Sequence, residues 1–215
     1  MKKTNISGSV AAFIEAAAYV HGIIIFVIVL NFNEADSVSQ KLSLIINNQG
    51  VFLSAYFIIY ILFGISLVFL TISLYKVFKE SGSVIASYIF SFGIFWAVLV
   101  TATGMIHNIS IGYLSEIYSN DPSQAEITYS VLHIITEGIG GGNEIIGGIF
   151  TLLVGIANRS TRVFSSTVTY TGIAAGLAGI LSTIPQASDI SVAIFGLGQI
   201  VWFVFIGIGF LKLNK

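Results

Sequence analysis

The sequence predicts an all-α, polytopic membrane protein, a single domain over residues 1–215 with six transmembrane helices, both termini in the cytoplasm and short amphipathic helices on the outer side. Three observations predict it. The first is composition: 55% of residues are hydrophobic and only 9% are charged, where a water-soluble domain carries about 25% charged residues. The second is the presence of six separate apolar runs, each near the ~20 residues that a spanning helix needs. The third is a one-sided distribution of Lys and Arg.

The six runs cover Gly8–Leu30, Val51–Tyr75, Val84–Ile106, Gly138–Ala157, Thr167–Ile184 and Ile190–Leu211. The N-terminal Met1-Lys2-Lys3 before an apolar run imitates a signal peptide. However, the small residues Ala16, Ala17 and Ala18 precede the most apolar stretch, whereas a cleavage site should follow it. The first run is therefore expected to be a retained helix.

Orientation follows from the short loops. Lys2, Lys3, Lys76, Lys79, Arg159, Arg162, Lys212 and Lys215 all fall on one side of a six-span arrangement, and only Lys41 falls on the other. Glu34, Asp36, Glu116, Asp121, Glu126 and Asp189 gather opposite. One span more or fewer would scramble this pattern.

Two outer segments are more than linkers. Val38, Leu42, Ile45 and Ile46 recur at helical spacing among polar residues, the signature of a short helix lying on the outer membrane surface. Asp121-Pro122 reads as a helix start, with Asp as N-cap, Pro at the first helical position and Gln124 three residues after the cap. Ile127, Val131, Ile134 and Ile135 then form one apolar face of a helix that leads straight toward the fourth span.

The fourth span opens with a glycine-dense stretch, Gly138 to Gly148. Each glycine costs a helix about 1 kcal/mol against alanine in water, so the run serves something other than helix stability. Close helix approach is the simpler reading, with Gly138/Gly142 and Gly172/Gly176 as GxxxG pairs. Such faces could also join copies of the chain. The sharper reading is a broken helix that opens backbone to a cavity. Trp96 and Trp202 lie mid-span, where core packing is expected, and Glu15 and Tyr19 sit one turn apart.

Polar groups inside a span face the protein interior or a cavity. At 1.5 Å per residue, His21 lies roughly 14 Å, Glu144 roughly 9 Å and Gln199 roughly 14 Å inside the outer boundary. His107 and Asn108 end the third span, and His133 and Glu137 precede the fourth. In a continuous helix His133, Glu137 and Glu144 share a face, since offsets of 4 and 11 residues return to within about 40° and 20°. The candidate ligand or ion pocket is therefore His21, His107, His133, Glu137, Asn143, Glu144 and Gln199, opening outward. It would bind or pass a small solute or ion. Two alternatives stay open. One is a metal-dependent membrane enzyme with His21, His107 and His133 as ligands; zinc or haem would be the metal group, although no motif selects either. The other is a structural or accessory subunit in which these groups only hydrogen-bond one another.

Several classes are excluded or unsupported. The absence of Cys removes disulfides, thiolate metal sites and Cys nucleophiles. A net charge of −1 offers no basic surface to nucleic acid. No phosphate loop, dinucleotide fingerprint or nucleophile elbow occurs. Asn5-Ile6-Ser7, Asn108-Ile109-Ser110 and Asn158-Arg159-Ser160 fit the glycosylation pattern, but two of the three fall on the cytoplasmic side.

The strings Gly141-Gly142-Asn143-Glu144-Ile145-Ile146-Gly147-Gly148 and Phe195-Gly196-Leu197-Gly198-Gln199-Ile200-Val201-Trp202-Phe203, with Ile184-Pro185 between them, resemble a family of six-helix prokaryotic integral membrane proteins known only as a domain of unknown function. The resemblance implies the same fold over most of the chain and a place in the prokaryotic cytoplasmic membrane. It implies no activity.

Overall fold

The computed structural model describes residues 2–141, 144–184 and 188–213. Among them there is no strand, and the chain is helical almost throughout. The α-helices are α1 (Lys2–Ile23), α2 (Val38–Asn47), α3 (Gln49–Tyr56), α4 (Phe63–Glu80), α5 (Ala86–Asn120), α6 (Pro122–Thr136), α7 (Glu144–Thr161), α8 (Ser166–Leu181) and α9 (Ser188–Lys212). Three π-helical turns are set into this framework. Ile24–Val29 extends α1, Phe57–Leu62 joins α3 to α4, and Glu137–Gly141 extends α6.

Among the described residues, five stretches are long and apolar enough to cross a membrane: Asn5–Val29, Gln49–Glu80, Ala86–Asn120, Pro122–Thr161 and Ile190–Lys212. The apolar helix Ser166–Leu181 is shorter. Large apolar side chains cover the outside. On α9, Ile190, Ile194, Leu197 and Val201 recur every three or four residues and all are exposed. A surface of this kind suits a lipid solvent better than water.

Six helices close into a ring in the order α1, α4, α5, α7, α8, α9 and back to α1. Each runs antiparallel to its neighbours. Between α7 and α8, Gly155 faces Thr169 and Ile173, while Gly148 faces Gly176 and Ile180. Between α8 and α9, Gly172 meets Trp202, whereas Gly179 meets Phe195. Between α9 and α1, the Ser9 hydroxyl donates to the Gly207 carbonyl at 2.9 Å, and Tyr19 packs on Phe203.

The ring encloses an aromatic core. Trp96 contacts Phe63, Phe150, Phe195 and Phe203, with centroids 5.4 to 6.5 Å apart, and Phe203 in turn stacks edge-on against Trp202 at 5.1 Å. Both tryptophans are buried, as their mid-span positions predict. A Cβ at Gly147 would lie 2.8 Å from the Trp96 ring, so glycine there lets the indole seat.

The helix starts of α2 and α6 match their sequence reading. Ser37 caps α2 in a capping box with Gln40, and Asp121 caps α6 by accepting the Gln124 N–H at 3.0 Å. Leu42 and Ile45 of α2 are buried against protein. Leu42 clusters with Leu114 and Ala125, and Ile45 with Phe52, Tyr56 and Ile111. On α6, Ile127, Val131, Ile134 and Ile135 point away from the protein, and its buried positions are Ala125 and Thr136. The hydropathy of α5 falls after Ile106, yet the helix runs on to Asn120, because α2 and α6 cover Ile111 and Leu114.

Candidate functional site

Two cavities adjoin, one among the ring helices and one between α5, α6 and the segments around α2 and α3. The upper one, about 550 Å³, is bounded by Phe26, Tyr56, Tyr60, Ser110, His107, Tyr129, His133 and Glu137 among others. The lower one, about 290 Å³, is lined by Tyr19, Tyr60, Phe63, Trp96, Phe195 and Glu144, together with small and aliphatic residues. Ile59, Tyr60 and Val192 line both, so the chambers meet at their level.

Each π-helical turn contributes to these walls. Ile24–Val29 supplies Phe26, Phe57–Leu62 supplies Ile59 and Tyr60, and Glu137–Gly141 supplies Glu137. A π turn widens the helix and re-aims the side chains that follow it, and such turns are enriched at functional sites.

In the upper chamber, His107 stacks on Tyr56 with centroids 4.2 Å apart and planes at 15°, and Tyr60 lies 5.4 Å away. His133 lies parallel to Tyr129 at 6.0 Å, and its Nδ1 is 3.8 Å from Glu137 Oε1. His133 and Glu137 are each about half exposed, so the chamber reaches the surface there. In the lower chamber, Glu144 begins α7, where free backbone N–H groups favour a carboxylate. The floor is made of Trp96, Phe63 and Phe195, all buried, with Phe150, Trp202 and Phe203 beneath.

Four of the seven expected pocket residues therefore line the cavities: His107, His133 and Glu137 above, and Glu144 below. His21 lines neither cavity, and its buried Nε2 has no hydrogen-bond partner. Gln199 lines neither cavity: it is buried one turn beyond Phe195 on the same face of α9, where its amide donates to Thr151 Oγ1 at 2.7 Å. Asn143 lies outside the described residues. Among the described residues no group of three His, Cys, Asp or Glu side chains could hold a metal ion. His21, His107 and His133 thus do not come together as a ligand set.

Sequence reasoning missed Tyr19, Tyr56, Tyr60, Phe63, Trp96 and Phe195. Aromatic residues inside a span read as core, and nothing in the local pattern separates a core ring from a cavity wall. The one available signal was the pairing of Tyr19 with Glu15 on a helix that also carries His21.

Glu15 itself is fully buried below the cavities. Ser66 stands beside it, but the serine hydroxyl donates to the Ala11 carbonyl at 3.2 Å. Neither carboxyl oxygen has a hydrogen-bond partner among the protein groups. An unpartnered buried carboxyl is destabilising, so Glu15→Met should stabilise the purified protein by about 1 kcal/mol. Reversible unfolding in mixed micelles measures this, and a loss of stability would show that the carboxyl is held by a bond worth more than its burial costs.

Comparison with protein-family models, with curated proteins and with solved structures finds no match to this chain.

Proposed function

We propose that this protein crosses a prokaryotic cytoplasmic membrane six times, with both termini inside, and binds or passes a small solute or ion through an outward-opening pocket. The observation that carries the reading is the pair of adjoining cavities, the upper one surface-reaching with His107, His133 and Glu137 on its wall, the lower one aromatic-floored with Glu144 at its level. Its resemblance to six-helix prokaryotic membrane proteins belongs to the same proposal.

Antiparallel packing supports six passes. At 1.5 Å per residue, the 16 residues of α8 span about 24 Å, short of a hydrocarbon core of about 30 Å. Yet α8 lies between α7 and α9 and runs opposite to both. If those two cross in the same direction, the chain between them must cross back. The Lys and Arg bias then sets the orientation.

The absence of Cys makes single-cysteine labelling clean. In intact cells, cysteines replacing Ser37 and Ser119 should react with an impermeant thiol reagent, and cysteines replacing Ser81 and Ser160 should react only after lysis. For the pocket, Ile59→Cys at the chamber junction should react from outside with a small reagent, whereas Leu67→Cys in the core should stay protected. An unreactive Ile59→Cys alongside a reactive Ser119→Cys would reject the open pocket. Outside labelling of Ser81→Cys would reject the six-pass arrangement.

A further inference from the structure

The pocket reading leaves the solute unnamed, and the lower chamber narrows it. Five aromatic side chains wall this cavity: Tyr19, Tyr60, Phe63, Trp96 and Phe195. Their rings are inclined rather than stacked. Phe63 meets Trp96 at 65°, Tyr19 meets Phe63 at 71°, and Trp96 meets Phe195 at 50°. The remaining walls are aliphatic or glycine, except for Glu144. No Lys, Arg or His lines the chamber among the described residues.

Each class of solute can be weighed against these walls. An anion would meet the Glu144 carboxylate and the negative faces of the rings, with no cation to offset either. A bare alkali or divalent ion needs several oxygen ligands, and this cavity offers one carboxylate and two phenol hydroxyls among mostly carbon walls. A neutral sugar or amino acid would bury many hydroxyl or amide groups against carbon, each costly without a partner. An ammonium group carrying apolar substituents fits both features. Aromatic faces attract its charge, the carboxylate neutralises it, and the apolar walls take up its carbon shell.

We propose that the lower chamber binds an organic cation, a substituted ammonium of modest size, with Glu144 as counter-charge and Tyr19, Tyr60, Phe63, Trp96 and Phe195 as an aromatic cage. The inference rests on the pocket reading and names its ligand class. The upper chamber is the approach. Glu137 stands half-exposed at the mouth, so a second carboxylate faces an arriving cation before it reaches Glu144.

The probe is benzyltrimethylammonium, tested beside its neutral isostere neopentylbenzene and the anion phenylmethanesulfonate. All are titrated into the purified full-length protein in a nonionic detergent. Intrinsic fluorescence is a local readout, because Trp96 lines the chamber and the other tryptophan, Trp202, is buried outside its lining. The cation should give a saturable change and bind at least about tenfold more tightly than the isostere, and the anion should give none. Glu144→Gln should lower cation affinity to that of the isostere, with helicity by circular dichroism unchanged. Equal binding of cation and isostere, or tighter binding of the anion, overturns the ligand class even if Glu144→Gln does not fold, since that comparison uses the parent protein alone. If none of the three binds while Ile59→Cys is labelled from outside, the pocket stands and the organic-cation assignment falls. If Ile59→Cys is also protected, both fall.

Discussion

Asn158→Ala should lower stability by about 3 kcal/mol, because it removes a buried side chain whose carbonyl accepts one hydrogen bond and whose two N–H groups are shared among three acceptors, at about 1 kcal/mol net per bond, with more lost where a desolvated partner is stranded. Asn158 Oδ1 accepts the Phe164 N–H at 2.7 Å. Its amide donates to the carbonyls of Phe164 and Ser165, at 3.3 and 3.1 Å, and to Thr169 Oγ1 at 2.9 Å. One residue near the end of α7 thus ties down the following turn and the first turn of α8. The turn is demanding in its own right. Arg162 adopts a left-handed conformation with φ 55° to end the helix, and its N–H reaches the Asn158 carbonyl at 2.8 Å. Phe164 then packs against Phe78 and Phe210, with centroids 5.9 and 5.1 Å away. Losing Asn158 should therefore loosen α4 and α9 as well as α8. Unfolding of the purified variant in mixed micelles measures the cost. Faster proteolysis at residues 162–165 should accompany it, and an unchanged midpoint would show that the turn holds itself without this side chain. Asn158 also fits the glycosylation pattern, but a side chain 1% exposed and bonded on all sides cannot carry a glycan as folded.

The same residue shows where the sequence is legible and where it is not. The apolar runs were legible because lipid demands them over ~20 residues at a time, and the ends of α9, Ser188 and Lys212, fall within two residues of its run. Helix starts with a side-chain cap, at Ser37 and Asp121, could be read from local chemistry. Three kinds of feature could not. The π-helical turns at Ile24–Val29, Phe57–Leu62 and Glu137–Gly141 have no residue code, and they decide which side chains enter the cavities. The reach of α5 to Asn120 depends on distant partners, α2 and α6. The facing of polar residues also depends on helix rotation. His21, Glu144 and Gln199 were placed at similar depth, but Glu144 enters the lower chamber, His21 lines neither cavity, and Gln199, one turn beyond Phe195 on the same face of α9, bonds to Thr151 instead. Charge and polarity pointed to a layer of the chain, and only packing shows which of these side chains line the cavities.

The glycines divide along the same line, and a paired substitution makes the division measurable. A Cβ on Gly176 would lie 2.6 Å from the Leu152 nitrogen and 2.7 Å from the Gly148 carbonyl oxygen. Both are backbone atoms, so no rotamer change relieves the clash and α7 must move away from α8. Overpacking of this kind costs about 1–3 kcal/mol, against a helix-propensity gain of about 1 kcal/mol in the other direction. Gly148 and Gly179 meet the same interface from its two sides, so a small local shift has nowhere to go, and the upper end of the range applies. Gly176→Ala should therefore lose about 2 kcal/mol net by the balance of these two effects. Gly138 has the same sequence signature, a GxxxG pair in a glycine-rich run, but nothing lies within 4 Å of the Cβ it would gain. Gly138→Ala should be neutral or stabilising by up to about 1 kcal/mol. Both are read from unfolding midpoints in the same mixed micelles. The oligomeric state should not change with Gly176→Ala, because the Gly172/Gly176 face is already covered within the chain by Thr151, Leu152 and Trp202. A dimer that dissociates on Gly176→Ala, or two variants of equal stability, would mean that close approach of α7 and α8 is not what this glycine is for.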